Sequence, residues 1–117
     1  MTETTVLHYQ TAQGRRPFQE WVDSIKDRAV KAAVAARINR VRAGTLGDWK
    51  AVGEGVFELR LDLGPGFRIY MGRDGKTVVI LLTGGEKRSQ DADIKTAKEY
   101  WKDYEKRTKG SAGRRPA

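Results

Sequence analysis

Val56-Phe57-Glu58-Leu59-Arg60-Leu61-Asp62-Leu63, then Gly64-Pro65-Gly66, then Phe67-Arg68-Ile69-Tyr70-Met71: this run decides the fold of the chain. From Phe57 to Leu63 the odd positions are apolar and the even ones charged, the period of two of a strand with one buried face. Past the glycine-proline-glycine turn, Phe67, Ile69 and Met71 repeat the apolar face while Arg68 and Tyr70 take the other. The two runs read as a hairpin whose polar side carries Arg60, Arg68 and Tyr70.

Parity sets the expected register. Pairing Leu63 with Phe67 sets Asp62 against Arg68 and Arg60 against Tyr70, whereas a slip by one residue drives charge into the core. Asp74-Gly75 marks the next turn, a type I′ signal, and predicts Met71 opposite Val78, Ile69 opposite Ile80 and Phe67 opposite Leu82. The third strand, Thr77 to Thr83, is apolar on both faces, so it is expected at the centre of a sheet covered on both sides. With Val79 and Leu81 beside Arg68 and Tyr70, the polar face is expected to form a partly roofed groove.

Outward from the meander, Thr5 to Tyr9 is a short strand that can sit beside this third strand. Pro17 suits the first turn of a helix, and Phe18, Trp21, Val22 and Ile25 follow at i, i+3, i+4 and i+7. Asp27 can cap a second helix reaching about Ala43, with Val30, Val34, Ile38 and Val41 inward and Gly44 as its stop. Arg28, Lys31, Arg37, Arg40 and Arg42 are placed on its solvent side. Residues 44–48 read as a connector, and Trp49 to Gly53 as a lead into the meander. Ser89 can cap a third helix, Asp91 and Asp93 suit its N-terminus, and Ile94, Ala97, Trp101 and Tyr104 form its apolar stripe. The expected class is α+β in the order β-α-α-β-β-β-α: a four-stranded antiparallel sheet, two N-terminal helices and one C-terminal helix. One domain over 1–106 is expected, with 107–117 a disordered basic tail.

Composition narrows the chemistry. Twenty-three Lys and Arg against fifteen Asp and Glu leave a formal charge of +8, which favours polyanionic partners. There is no cysteine and one histidine, His8, so thiol chemistry and most zinc sites are excluded and no metal or cofactor is expected. No apolar run approaches the roughly 20 residues of a membrane span, and Met1 to Thr5 has no signal pattern, so a cytoplasmic protein without membrane contact is expected.

The motif run Gly55-Val56-Phe57-Glu58-Leu59-Arg60, Gly64-Pro65-Gly66-Phe67-Arg68-Ile69-Tyr70 and Leu81-Leu82-Thr83-Gly84-Gly85-Glu86-Lys87, in this element order, resembles the RelE/ParE/HigB toxin superfamily. More narrowly it is similar to the phage-derived addiction-module killer proteins of type II toxin-antitoxin systems, over Val6 to Tyr104. The resemblance implies a RelE-like, microbial-RNase-like fold and ribosome-dependent cleavage of mRNA that inhibits translation. It also implies a cognate antitoxin, often a helix-turn-helix DNA-binding protein. Arg68 matches an arginine tied to the scissile phosphate, Arg60 a basic residue of the preceding strand, and Lys87 a basic residue after the last strand. Two features depart from the pattern: Glu58 stands where RelE-like members place another lysine, and the tyrosine near their C-terminal end has no match here.

Cleaving RNA through its own 2′-OH needs a base, charge stabilisation at phosphorus and a proton for the 5′ oxygen. Arg60 and Arg68 fit only the second task, as phosphate clamps. Lys87, and after it Lys50, are candidates for proton transfer, and Tyr70 for proton relay or base stacking. His8 would be a conventional acid-base group but falls outside the motif. Lys50, Arg73 and Arg88 add cations for the RNA backbone. The same arginines, alternating with Glu58 and Asp62, also read as a solvated cross-strand ion-pair ladder. Non-catalytic inhibition of DNA gyrase, as in ParE, and an inactive RNA-binding relic are the competing functional readings.

Overall fold

The computed structural model describes residues 3–110. In chain order it holds β1 (Thr5–His8), α1 (Pro17–Ser24), α2 (Arg28–Arg42), β2 (Trp49–Gly53), β3 (Val56–Leu61), β4 (Phe67–Asp74), β5 (Val78–Glu86) and α3 (Gln90–Gly110), with a 3-10 turn, Lys87–Ser89, ahead of α3. The sheet order is β1-β5-β4-β3-β2; β2 through β5 pair antiparallel in succession, and β1 lies parallel to β5. The α+β class stands, but the expected four-stranded antiparallel sheet is a five-stranded mixed one. The added strand is β2, exposed at nearly every position, so no alternation marks it. It is joined to β3 by Glu54-Gly55, both at positive φ (56° and 86°), the backbone of a two-residue type I′ hairpin. Lys98 and Lys102 of α3 reach the Glu54 carboxylate at 3.4 and 3.1 Å.

Two registers differ from expectation. Leu61, not Leu63, faces Phe67, so the β3–β4 loop has five residues. This shift of two keeps every side chain on its predicted face, but it sets Arg60 opposite Arg68 and Glu58 opposite Tyr70. Between β4 and β5 the turn takes three residues, 75–77, and Asp74 faces Val78. That odd slip turns Val78 to Leu82 over, and an irregularity between Tyr70 and Met71 resets the pairing of the rest, so that Ile69 faces Gly84 and Phe67 faces Glu86. Val79 and Leu81 join the Ile69 and Met71 side, while Ile80 and Leu82 go to the other. Val78 through Leu82 are all apolar, so either parity buries them equally well and the pattern could not choose.

Each face of the sheet carries its own helical layer. Phe18 of α1 and Val34, Ile38 and Val41 of α2 pack on Leu59, Leu61, Ile69, Met71, Val79 and Leu81. Ala97 and Trp101 of α3 pack on Val56, Tyr70, Ile80 and Leu82, with Tyr9 beside them. The polar-patterned side of β3 and β4 is therefore largely a second core, and the groove expected there survives only at one end. Close approach of α3 depends on Gly72, where a Cβ would stand 2.3 Å from the Trp101 ring.

Local signals explain the helices. Pro17 begins α1, Asp27 Oδ1 accepts from the Ala29 and Val30 amides to cap α2, and Gly44 turns the chain at φ +94°. Arg37, expected in solvent, is buried. Its Nε, Nη1 and Nη2 donate to the carbonyls of Leu46, Arg60 and Asp48 at 2.9, 2.7 and 2.6 Å, fastening α2 to the 44–48 connector and β3. The helix α3 runs to Gly110, so 107–110, expected in the tail, are helical. The rest of that tail, 111–117, lies outside the described residues. Tyr9 Oη donates to Asp103 Oδ2 at 2.6 Å and Tyr104 Oη to Asp74 Oδ2 at 2.7 Å, tying α3 to the sheet. No helix among the described residues is long and apolar enough to cross a membrane.

Candidate anion site at the sheet end

The even positions of β3 and β4 face α3, and at the end of the sheet beyond Trp101 they are polar. Glu58 is at the centre and is fully buried. Its Oε1 accepts from Arg60 Nε at 3.2 Å and lies 3.8 Å from Arg68 Nε; its Oε2 accepts from Gln90 Nε2 at 2.8 Å. The two guanidinium groups thus converge inward on a carboxylate. The Arg60 side chain remains 33% exposed while that of Arg68 is 6% exposed.

Arg68 is short of acceptors. A guanidinium presents five N–H donors, yet Arg68 makes one hydrogen bond, Nη1 to the Phe67 carbonyl at 3.1 Å, and its buried Nε makes none. The group forms the floor of a cleft walled by Asp62, the Gly64-Pro65-Gly66 turn and Lys87. Gly66, at φ +84°, lets the Lys87 stem approach, and Lys87 N donates to the Gly66 carbonyl at 3.0 Å. The 3-10 turn therefore positions both Lys87 in the cleft and Gln90 against Glu58.

Tyr70 lies beneath this cluster. Its hydroxyl is buried without a hydrogen-bond partner, and burial first, then the Glu58 charge opposite it, drives its pKa far above the ordinary phenol value. It stays neutral at pH 7, so it can donate but cannot serve as a base, and its ring is in the core, away from any stacking role. Of the remaining sequence candidates, Lys50 pairs with Glu58 across β2 and β3, is exposed, and shares the same face. Arg88 is 84% exposed and lies 3.3 Å from Glu86. Arg73 stands apart, near the far end of β4 and on the other face. His8 lies across the sheet against Phe18, with ring centroids 5.7 Å apart.

No protein-family model matches the chain. It is similar to an uncharacterized protein of Haemophilus influenzae (strain ATCC 51907 / DSM 11121 / KW20 / Rd), 47% identical over 81 residues that cover 69% of this chain and 82% of that protein. The chain belongs to that protein's family. The relative's name brings no activity to the family, so the chemistry has to be argued from the cleft.

Two participants escaped the sequence reading. Glu58 was read there as a departure from a motif and as one rung of a solvated ion-pair ladder, because the alternation put it on the polar face; its burial comes from α3 covering that face. Gln90 carried no signal, because its contact with Glu58 spans 32 positions and depends on where α3 docks.

Proposed function

We propose that this chain is a toxin of the RelE/ParE/HigB type that cleaves mRNA on the ribosome without a metal, opposed by a cognate antitoxin of the helix-turn-helix class. The observation that carries the reading is Arg68: a buried guanidinium with unused donors at the floor of an open cleft, facing Lys87. Such a pair suits a phosphodiester, with the planar fork on two phosphate oxygens and the ammonium beside the leaving group. The net charge of +8 supports a polyanionic partner such as RNA.

In this reading the 2′-OH attacks the adjacent phosphorus, the P–O5′ bond breaks, and a 2′,3′-cyclic phosphate and a 5′-OH result. Arg68 stabilises the extra negative charge on the phosphorane. Lys87 delivers a proton to the 5′ oxygen. Asp62, the carboxylate that shares the cleft, takes the proton from the 2′-OH. Both oxygens of Glu58 are engaged, so its part is to anchor Arg60 and Arg68.

One observation favours a second reading. Both arginines already have a carboxylate partner, as expected of a structural ion-pair ladder, and inhibition of DNA gyrase needs no phosphate clamp. Induction in cells separates the two. Mapping of transcript 5′ ends on translated messages should show cleavage that Arg68→Ala and Lys87→Ala abolish, and co-expression of an adjacent helix-turn-helix protein should restore growth. Whole transcripts with a DNA-damage response would favour the gyrase reading, and the lack of any growth defect would refute both.

A further inference from the structure

Across the sheet from the cationic cluster, α1 and α2 enclose a second cleft that opens beside β1. Its floor is apolar: Phe18 and Val22 of α1, Val34 and Ile38 of α2, and Leu81 of β5. Its rim is cationic. Lys31 and Arg42 stand on the α2 wall, Gln19 and Asn39 add neutral amides, and no carboxylate lines it among the described residues. Arg42 Nη1 donates to Asn39 Oδ1 at 2.8 Å, which steadies its guanidinium beside the opening.

His8 closes one end. Its Nδ1 is buried without a hydrogen-bond partner, a polar group with a bond left to make. Burial, then the charges of Arg16 and Arg42, hold its pKa below the ordinary value, so the imidazole is neutral at pH 7 and the cleft's positive potential comes from the lysine and arginines.

We propose that this cleft docks a segment of a protein partner that inserts an aliphatic side chain flanked by carboxylates. The apolar floor selects the aliphatic group, and the two charged rim groups, both cationic, select its acidic neighbours. The net charge of +8 steers such a segment inward. Half-buried Val22 and exposed Ala35 give the cleft its accessible aliphatic surface, whereas bases bind by stacking on accessible ring faces and the floor's one benzene ring, Phe18, is only 4% exposed. The inference stands independently of the RNA-cleavage reading, since it uses none of the residues of the first cleft.

His8 is the single histidine, so its Cε1–H resonance is unambiguous; it also borders a neighbouring cleft with Tyr9 and Arg107, so the Lys31 and Arg42 variants below assign the shift to this cleft. The test titrates the full chain with an amphipathic 12-residue peptide bearing leucines on one face and glutamates on the other. Two control peptides replace all glutamates by lysine or all leucines by serine. The acidic leucine peptide should shift the His8 signal saturably, and both controls should leave it unmoved. Lys31→Gln with Arg42→Gln should weaken binding about tenfold while the amide spectrum is kept; Lys31→Glu alone, at a half-buried position of the rim, gives a second test of the same charge dependence. Equal binding by the lysine peptide, undiminished binding by these variants, or a His8 shift produced by poly(U) and not by the acidic peptide would overturn the proposal.

Discussion

Replacing Glu58 by glutamine tests the centre of the cationic cluster. The substitution keeps shape and removes charge, leaving Arg68, 5% exposed, without its anion. At 3.8 Å and an effective dielectric near 20, that pair is worth about 4 kcal/mol. The Arg60 contact is closer but one-third exposed, so it adds no more than about 1 kcal/mol. Glutamine also removes the cost of burying a carboxylate, which returns part of this. A net loss of about 3 kcal/mol remains, at the low end for stranding one partner of a buried pair. With a urea m-value of about 1.5 kcal/mol/M, the midpoint should fall by about 2 M. The freed guanidinium groups should meanwhile bind RNA more tightly, steepening the logarithmic salt dependence by about 0.7 for each arginine released to phosphate. A midpoint within about 0.3 M of the parent, together with an unchanged salt slope, would show that Glu58 does not hold the arginines, and the account of the site would fail.

Arg37→Met should cost about 3 kcal/mol, because three carbonyls lose a charged donor at once, and Arg37→Lys should restore less than half; urea unfolding that shows either variant within about 0.5 kcal/mol of the parent contradicts the fastening role. Gly72→Ala forces a methyl into the Trp101 ring and should destabilise by about 2 kcal/mol or more with a red shift in tryptophan emission; an unchanged melting temperature refutes the close packing. Burial and the bond to Asp103 raise the Tyr9 pKa to about 12. The unfolded chain therefore releases that proton near pH 10 while the folded chain keeps it, so stability is intact below pH 10 and falls as pH rises toward 12. Tyr9→Phe should flatten this alkaline decline, and equal slopes in the two proteins would refute the assignment.

Most of the fold was legible wherever a local signal and a buried face agreed. Pro17 with the Phe18, Trp21, Val22 and Ile25 stripe, the Asp27 cap, the Gly44 stop and the alternation from Phe57 to Met71 all mark elements the structure contains. The parity of β5 was hidden because a strand apolar on both sides has no preferred face until its turn is known. β2 was hidden because it is fixed by backbone pairing and by a hairpin in which a glutamate takes the left-handed conformation usually given to asparagine or glycine. Arg37 could have been found, since it falls three residues after Val34 and four before Val41, on the buried stripe. The site was only half legible. The sequence placed Arg60, Arg68 and Tyr70 on one face, but which charges meet there depends on a two-residue change in loop length and on the docking of α3, and neither leaves a trace in periodicity.

The parallel pairing of β1 with β5 also shapes how the chain assembles. The first strand has no strand neighbour until Val78 to Leu81 are made, so the N-terminal segment waits while some seventy further residues are added. During that wait α1 and α2 have formed-helix propensity but no sheet to cover, leaving Phe18, Trp21, Val34 and Ile38 open to solvent or to chaperones. Long-range closure of this kind slows folding. Truncations that stop short of β5 should therefore be sticky, protease-sensitive species rather than smaller stable domains.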